Sequence, residues 1–290
     1  MLKCYLCPKK CGADRPVRRG LCGAGALSVA RAAAHYYEEP PISGKNGSGA
    51  VFFSGCPLRC VFCQNDPVSH GGVGKSITAA ELADVFKRLC DAGCHNINLV
   101  SPTPYVPEII KALELARPAV PVVYNTSGYE RVETLRMLDG YVDIYLPDFK
   151  YVTPALSEKY SGAADYPTIA AAALHEMLRQ CGKCEYSDNG MMSRGVIVRH
   201  LVLPSHRDES VAVLRYLSEN YDKKSFLLSL MSQYVPMYGA KDYPEIDRRL
   251  TKLEYRRVSE EALRLGFDGF FQDPSSQSAD YTPDFDLTGI

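Results

Sequence analysis

The sequence has no long apolar run, and its charges almost cancel. No window approaches the roughly 18 consecutive apolar residues that a membrane-spanning helix needs, and the N-terminus lacks the apolar core of a secretory signal peptide. A formal net charge of −1 provides no general attraction to nucleic acid or to an anionic membrane. We therefore expect a cytoplasmic protein that acts on neither.

Cysteine, in contrast, is abundant, with eleven in 290 residues. A chain of this length can bury a full hydrophobic core and does not need a disulfide framework. In a protein expected to be cytoplasmic, so many cysteines indicate metal ligation and favour a reducing, oxygen-poor setting. The composition, 46% hydrophobic and 23% charged, fits one large globular domain with a small appendage.

Three of the cysteines directly follow an apolar segment. The stretch Ala-Val-Phe-Phe-Ser-Gly runs into Cys56, Cys60 and Cys63, spaced C-x3-C-x2-C. Three thiolates from one tight loop can hold three corners of a cubane [4Fe-4S] cluster and leave one iron with an open coordination position. An open iron indicates chemistry on a bound molecule. The alternative is a zinc site completed by Cys90 or Cys94 from the next predicted helix.

The spacing of these three cysteines, with the aromatic Phe62 before the last one, resembles the C-x3-C-x-aromatic-C signature of the radical S-adenosylmethionine (SAM) superfamily. The flanking Phe-Phe-Ser-Gly-Cys and Cys-Gln-Asn resemble the activating enzymes of glycyl-radical enzymes, such as that of pyruvate formate-lyase. The resemblance extends over nearly the whole chain. It implies a [4Fe-4S] cluster on the three cysteines, SAM beside Phe62, and reductive cleavage of SAM to a 5′-deoxyadenosyl radical that abstracts hydrogen.

The same resemblance implies an oxidoreductase whose substrate is a glycine Cα–H on a partner protein. It also implies an external low-potential electron donor, such as flavodoxin or ferredoxin. Two other interpretations stay open: a radical SAM enzyme that modifies a small molecule or another peptide, and a non-catalytic iron-sulfur electron carrier. Nothing in the sequence names the partner.

A second group of cysteines opens the chain: Cys4, Cys7, Cys11 and Cys22, in the pattern C-x2-C-x3-C-x10-C. Four cysteines can close a tetrahedral zinc site, and all-cysteine ligation equally suits an auxiliary iron-sulfur cluster. The Lys and Arg side chains around them either offset the charge of such a centre or form an ordinary solvated face. We expect residues 1–48 to form a cysteine-rich N-terminal appendage and its joint to the main domain.

From residue 50 onward the predicted strands and helices alternate, as in the βαβ units of a parallel sheet. Strands are predicted from residue 50 and at 95–101, 119–126, 141–148, 194–203 and 225–231, and helices at 78–92, 105–116, 130–138, 153–181, 208–220 and 247–265. Six units are fewer than the eight of a closed barrel. The expected α/β fold is therefore a partial, open (β/α)6 TIM-like barrel over residues 49–240, with a C-terminal helix and tail, 241–290, packed on it.

In such a barrel the active site lies at the C-terminal ends of the strands, and this sequence is polar there. The Asn-Thr-Ser-Gly after the third strand resembles an Asp-Thr-Asn-Gly stretch of the pyruvate formate-lyase activating enzyme, and Leu-Pro-Asp-Phe-Lys after the fourth resembles Leu-Asp-Leu-Lys. Both stretches line the SAM site in that enzyme. The resemblance implies that Ser127, Asp148 and Lys150 contact the methionine part of SAM and that Arg199 contacts its ribose or carboxylate.

Two positions depart from the family pattern. Gly-Gly-Glu usually follows the second strand, whereas this chain has Ser101-Pro-Thr103, whose hydroxyls and carbonyls we expect to receive the SAM ammonium group instead. Asn125 replaces an aspartate at the SAM site, which removes a charge.

Two further groups are weaker candidates. His35, with Glu38 and Glu39 at the joint, fits either the wall of the cluster pocket or an ordinary structural histidine. Cys181 and Cys184 form a C-x2-C pair, which fits either a second redox or metal site or an incidental pair at a helix end.

Overall fold

The computed structural model of the protein describes residues 3–15, 17–273 and 282–290. The strands are β1 Ser28–His35, β2 Ser48–Phe53, β3 Lys75–Ser76, β4 Ile97–Val100, β5 Val122–Thr126, β6 Ile144–Pro147, β7 Glu185–Tyr186, β8 Met192–Leu201, β9 Leu227–Met231 and β10 Gly269–Phe271. The α-helices are α1 Pro40–Ser43, α2 Asp66–Ser69, α3 Ala79–Asp91, α4 Val106–Ala116, α5 Val132–Met137, α6 Pro154–Ser161, α7 Tyr166–Cys181, α8 Arg207–Asn220 and α9 Lys252–Leu265.

The strands form one largely parallel sheet in the order β10-β9-β8-β6-β5-β4-β2-β1-β3, with β7 paired to β8 beside this path. Neighbours from β2 to β10 are parallel, whereas β1 and β3 run antiparallel at one edge. Within the described ranges the end strands β10 and β3 do not pair with each other, so the sheet is not closed. The predicted α/β fold with an open, partial barrel is confirmed, and β2, β4, β5, β6, β8 and β9 are its six predicted strands.

Two helix starts are set by capping boxes. The Thr78 hydroxyl accepts a hydrogen bond from the Glu81 amide, while the Glu81 carboxylate accepts one from the Thr78 amide, as predicted for α3. Thr251 and Glu254 form the same reciprocal pair. The last long helix therefore begins at Lys252 rather than at the predicted residue 247.

Between β1 and β2, the prolines and glycines of residues 38–49 predict a break in regular structure. Pro40 and Pro41 instead begin α1, because the first turn of a helix does not need their missing amide hydrogens. The sequence of residues 26–37 fits either a strand or a short helix. The structure places β1 there, paired with β2.

Alternate residues of each strand face opposite sides of the sheet, and this places a polar layer inside the barrel. Val51, Leu99, Tyr124 and Val198 pack into the main core beneath the helices. Their neighbours Val123 and Ile197 instead join Ile42, Ile144 and Leu146 in a small separate apolar cluster. Two positions further along the same strands, this inner face continues with Asn125, Asp148 and Arg199.

Residues 3–15 and 17–27 contain no helix or strand and lie against the barrel. The Cys56 amide donates a hydrogen bond to the Cys22 carbonyl at 3.1 Å, and the Thr134 hydroxyl donates one to the Leu6 carbonyl at 2.7 Å. Cys22 also joins the main hydrophobic core. The N-terminal segment thus touches the loop that follows β2.

At the other end, residues 282–290 lie along β1. The Leu287 amide donates to the Ala30 carbonyl at 3.0 Å, and the ring of Phe285 packs against Phe52 with centroids 5.4 Å apart. Tyr281, which we expected to pack with this tail, lies outside the described residues. Among the helices of the described ranges, none has the length and apolar character of a membrane span.

Candidate functional site

The loop after β2 turns three cysteines toward one cavity. Cys56, Cys60 and Cys63 line a cavity of about 190 Å³. Gly55 opens the loop at a φ of +91°, and a Cβ atom there would lie 2.7 Å from the Cys22 carbonyl oxygen. Only glycine fits this close approach without strain. The start of the loop is therefore fixed against the N-terminal segment.

Cys60 is buried, Cys56 and Cys63 are partly buried, and the three thiols lie near one another. Burial raises the pKa of Cys56, Cys60 and Cys63, to about 12 for Cys63, and the charge of a neighbouring cysteine raises it further for Cys56 and Cys63. The Cys60 Sγ lies 3.1 Å from the Ser161 Oγ, and the Cys63 thiol donates to the Ser69 Oγ across 3.6 Å. Thiols in such surroundings stay protonated until a metal replaces the proton.

This donor set suits a polynuclear centre. In the described part of the chain, no three His, Cys, Asp or Glu side chains form a group arranged to hold a metal ion. A cubane cluster has four irons between its thiolates, so its ligands stand further apart than those of one ion. The cavity lining in the described residues includes neither Cys90 nor Cys94. Three thiols without a fourth fit a [4Fe-4S] cluster with one open iron better than a closed zinc site.

A network of ion pairs forms the polar wall of the same cavity. The Asp148 carboxylate accepts from the Lys150 Nζ at 2.6 Å and from the Arg199 Nε at 2.9 Å. Arg199 also donates to the Asn125 Oδ1 at 2.6 Å and lies 3.5 Å from the Glu38 carboxylate. Burial alone would raise the pKa of Asp148, but Arg199 and Lys150 hold it below its usual value. The wall thus presents charges of both signs, which suits a zwitterionic amino-acid group.

Seven of the eight residues that we expected around SAM line this cavity together with the cysteines. They are Phe62, Ser101, Asn125, Ser127, Asp148, Lys150 and Arg199. Ser101 has a φ of +56°, a conformation that costs free energy for a non-glycine residue and is concentrated at functional sites. The structure brings these residues together, and their contact with SAM stays a prediction.

Thr103 is the exception among the expected SAM contacts. Its hydroxyl is buried and donates at 2.5 Å to the carboxylate of Glu130, which also accepts from Thr126 at 2.5 Å. A 3-10 turn at Thr103–Tyr105 follows β4 directly, and the cavity lining in the described chain does not include Thr103. Of the two hydroxyls after the second predicted strand, Ser101 alone reaches the cavity.

Replacing Glu130 with glutamine is expected to stabilise the protein increasingly as the pH rises. Burial raises the pKa of Glu130 from 4.5 to about 7. Because the folded state holds the Glu130 proton more tightly than the unfolded state does, the wild type loses about 3 kcal/mol of its free energy of unfolding as the pH rises from 4.5 to 7. Glutamine does not titrate, so the variant does not lose this stability. Its thermal denaturation midpoint, measured anaerobically, should therefore exceed that of the wild type by several degrees more at pH 8 than at pH 5.

Glu176→Gln is the matched control for this prediction. Glu176 is also buried, but its hydrogen bond with Arg179 lowers its pKa. Ionised Glu176 therefore stabilises the folded state above the pKa of the unfolded chain, and this stability is lost on acidification. The denaturation midpoint of Glu176→Gln, relative to the wild type, should therefore be lower at pH 8 than at pH 5. A midpoint difference for Glu130→Gln that does not vary with pH would contradict the account.

The four N-terminal cysteines also lie close together. A Cβ atom at Gly20 would lie 3.4 Å from the Cys11 Sγ and 3.3 Å from the Cys22 Sγ. Cys4 and Cys7 both interact electrostatically with Cys22, and burial raises the pKa of Cys7 to about 12. The predicted ligands thus share one region of the chain. Whether they bind zinc or an auxiliary iron-sulfur cluster stays a prediction.

Sequence reasoning did not identify the two serines beside the thiols. Ser161 ends α6 and Ser69 ends α2. Ser161 is far from Cys60 in the sequence, and Ser69, although only six residues after Cys63, carries no spacing signal that marks a thiol contact. Cys181 and Cys184 do not line the cavity as the described residues form it. The Cys181 Sγ lies instead 3.2 Å from the Asp143 carbonyl oxygen.

Comparison with known proteins gives a consistent result over most of the chain. A family model, the Radical SAM superfamily, matches residues 50–210, which include the three cysteines and, from the polar wall, Asn125, Asp148, Lys150 and Arg199. The uncharacterized protein MJ0674 of Methanocaldococcus jannaschii is 32% identical over 275 residues, which covers 91% of this chain and 75% of that protein.

Two solved structures superpose on part of the chain at low sequence identity. SuiB of Streptococcus suis superposes with a TM-score of 0.50 at 13% identity, covering 75% of this chain and 47% of SuiB. Methylornithine synthase (PylB) superposes with a TM-score of 0.48 at 16% identity, covering 74% of this chain and 63% of that one. This chain therefore spans about half the length of SuiB, and the likeness concerns the fold alone.

Proposed function

Because this chain belongs to the radical SAM superfamily, whose members bind a [4Fe-4S] cluster and S-adenosylmethionine, we propose that Cys56, Cys60 and Cys63 hold the cluster and that the adjoining polar wall holds SAM. One observation carries this proposal. The three thiols and the ion pairs of Asp148 with Lys150 and Arg199 line the same cavity.

The chain would contribute to cluster binding by fixing the thiols before iron arrives. Ser161 and Ser69 contact two of the sulfur atoms. Burial raises the pKa of Cys60, but the positive charge of Lys150 opposes this effect and would stabilise the thiolate that ligates iron. With three protein thiolates, one iron remains open to the amino and carboxylate groups of SAM.

The polar wall would orient the methionine end of SAM. Asp148 offers an acceptor for the ammonium group, and Lys150 and Arg199 offer donors for the carboxylate. These side chains are at most 16% exposed and already paired with one another. Their arrangement therefore exists before SAM binds, which lowers the entropy cost of ordering them.

When bound, the cluster and SAM supply one-electron cleavage of SAM to a radical that abstracts hydrogen, and an external donor such as flavodoxin or ferredoxin would supply the electron. The remaining tasks belong to the protein. The walls of the cavity would limit the access of water to the reacting groups, and the barrel would hold the substrate hydrogen near SAM.

The substrate that we propose is a glycine Cα–H on a partner glycyl-radical enzyme. The sequences flanking the cysteine loop, which resemble those of activating enzymes, support this choice. The gap between β10 and β3, which do not pair within the described residues, would give a loop of a partner protein access from the side.

The test mixes the reduced, cluster-loaded protein anaerobically with SAM and each of a panel of glycyl-radical enzymes. We expect the doublet of a stable glycyl radical in the electron paramagnetic resonance spectrum of one partner, and none when Cys60→Ala replaces the wild type. SAM cleavage without a glycyl radical on any partner would favour a small molecule or another peptide as substrate. No SAM cleavage by protein that carries the cluster, with the panel present, would favour the electron-carrier alternative.

A further inference from the structure

A second cavity, of about 170 Å³, adjoins the cysteine cavity inside the barrel. The two cavities share Gln64, Asn125 and Arg199 in their walls. The second extends from there toward the end of β1 and toward β10, and the cysteines do not line it. Its apolar wall is formed by Phe52, Val100, Met231 and Phe270. A cavity of about 150 Å³ can hold a benzene molecule, so this one has room for the end of an amino-acid side chain.

Glu39 lines this second cavity and is only 8% exposed. In the described residues its Oε2 atom is buried and has no hydrogen-bond partner. The neighbouring carboxylates differ in this respect, because Asp148 pairs with Lys150 and Arg199, and Glu38 pairs with Arg199. No ion pair within 4.0 Å involves Glu39 in the chain as described.

The walls of the two cavities together contain one more carboxylate than cation. Glu38, Glu39 and Asp148 are opposed by Lys150 and Arg199, counted over the described residues. Arg199 acts on Glu39 only from beyond 4.0 Å. A buried carboxylate that makes no direct ion pair is costly, and the cost falls when a cation binds beside it. Glu39 lines the same cavity as the apolar wall, which suits an alkyl chain.

We propose that the second cavity binds a part of the substrate that consists of a short alkyl chain ending in an ammonium or guanidinium group, with Glu39 as the counterion. This inference rests on the proposed function and names the chemical class that the same site would accept. The alkyl chain would contact Phe52 and Phe270, and the cation would lie beside the Glu39 carboxylate.

The proposal predicts a particular pH dependence. Burial and the nearby Glu38 raise the pKa of Glu39 to about 7, although Arg199 opposes the shift. A cation binds the charged carboxylate, so affinity should rise about tenfold from pH 6 to pH 8 as Glu39 loses its proton.

The other titratable groups around the cavity do not reverse the predicted rise in affinity with pH. Burial also raises the pKa of Glu38, which then changes charge in the same direction. Burial lowers the pKa of His35 and so favours its neutral form. Asp148, whose pKa is lowered, and Arg199, whose pKa is raised, stay charged.

The experiment measures binding of n-butylammonium to the cluster-loaded protein by titration calorimetry, with SAM present and no reductant, and uses n-butanol as the neutral comparison. We expect n-butylammonium to bind at least tenfold more tightly than n-butanol at pH 8. Glu39→Gln should weaken n-butylammonium at least tenfold and reduce its pH dependence, while changing n-butanol affinity less than twofold. Glu260→Gln, on the surface of α9 with a side chain 65% exposed, should bind both probes as the wild type does.

Three results would overturn the proposal: equal affinities for the two probes, an undiminished preference in Glu39→Gln, or n-butylammonium binding seen only in protein without SAM, which would assign the cation site to SAM. Because no reductant is present, binding does not depend on SAM cleavage. A protein that cleaves SAM but lacks the preference contradicts this inference alone. A protein with the preference that cannot cleave SAM contradicts the proposed function and leaves the cation site standing.

Discussion

Replacing Cys60 with alanine is expected to remove the cluster entirely. Two thiols cannot hold a cubane that already has only three protein ligands, and the lost thiol is buried next to Ser161, where no other cysteine replaces it within the described residues. Iron analysis of anaerobically reconstituted protein should show about four iron atoms per chain fewer than the wild type. The visible absorption of the cluster should be lost to the same extent.

Cys181→Ala is the matched control for this substitution. Cys181 is as buried as Cys60, at 3% against 9% exposure, but it lies against the Asp143 carbonyl and not on the cavity. Its iron content should equal that of the wild type. A Cys60→Ala protein with full iron content, or an equal loss in Cys181→Ala, would contradict the assignment of the three cysteines.

Replacing Arg199 with methionine is expected to cause the largest loss of stability that the polar wall can produce. Arg199 bonds to Asp148 and Asn125 and pairs with Glu38, and it is 15% exposed. Removing one partner of a buried pair leaves uncompensated charge and costs about 3 to 5 kcal/mol. The denaturation midpoint should fall by about 10 °C, and SAM affinity by at least about tenfold.

Arg215→Met provides the comparison for Arg199→Met. Arg215 makes a similar contact with Glu261 at 2.8 Å, but its side chain is 56% exposed, and exposed pairs contribute about 1 kcal/mol or less. Its midpoint and SAM affinity should stay near those of the wild type. Arg199→Lys keeps the charge but loses the planar fork that reaches two acceptors, so it should restore part of the stability. Equal effects at positions 199 and 215 would show that the wall is not a coupled buried network.

The cysteine loop and the barrel could be predicted from the sequence because their signals are local. The apolar strand and the closely spaced thiols that follow it lie within 16 consecutive residues. The capping box of Thr78 with Glu81 lies within one helical turn. The polar strand ends followed from one general rule about barrels. That rule correctly grouped Asn125, Asp148 and Arg199, which are far apart in the sequence.

Features that depend on side-chain direction could not be predicted. Thr103 is two residues from Ser101, yet the turn after β4 sends its hydroxyl to Glu130 rather than to the cavity. The short helix α1 was not predicted because two consecutive prolines usually interrupt regular structure, although proline is well suited to the first turn of a helix. The isolation of Glu39 depends on which neighbours already pair with Arg199, and only three-dimensional contacts reveal that.

The most direct test of the central claim measures 5′-deoxyadenosine released from SAM by the cluster-loaded protein under anaerobic conditions with dithionite, beside Cys60→Ala and Cys181→Ala. The account predicts release by the wild type and by Cys181→Ala, and none by Cys60→Ala. Release that persists in Cys60→Ala, or none from wild-type protein that carries its cluster and has both its reductant and a glycyl-radical partner, would contradict it.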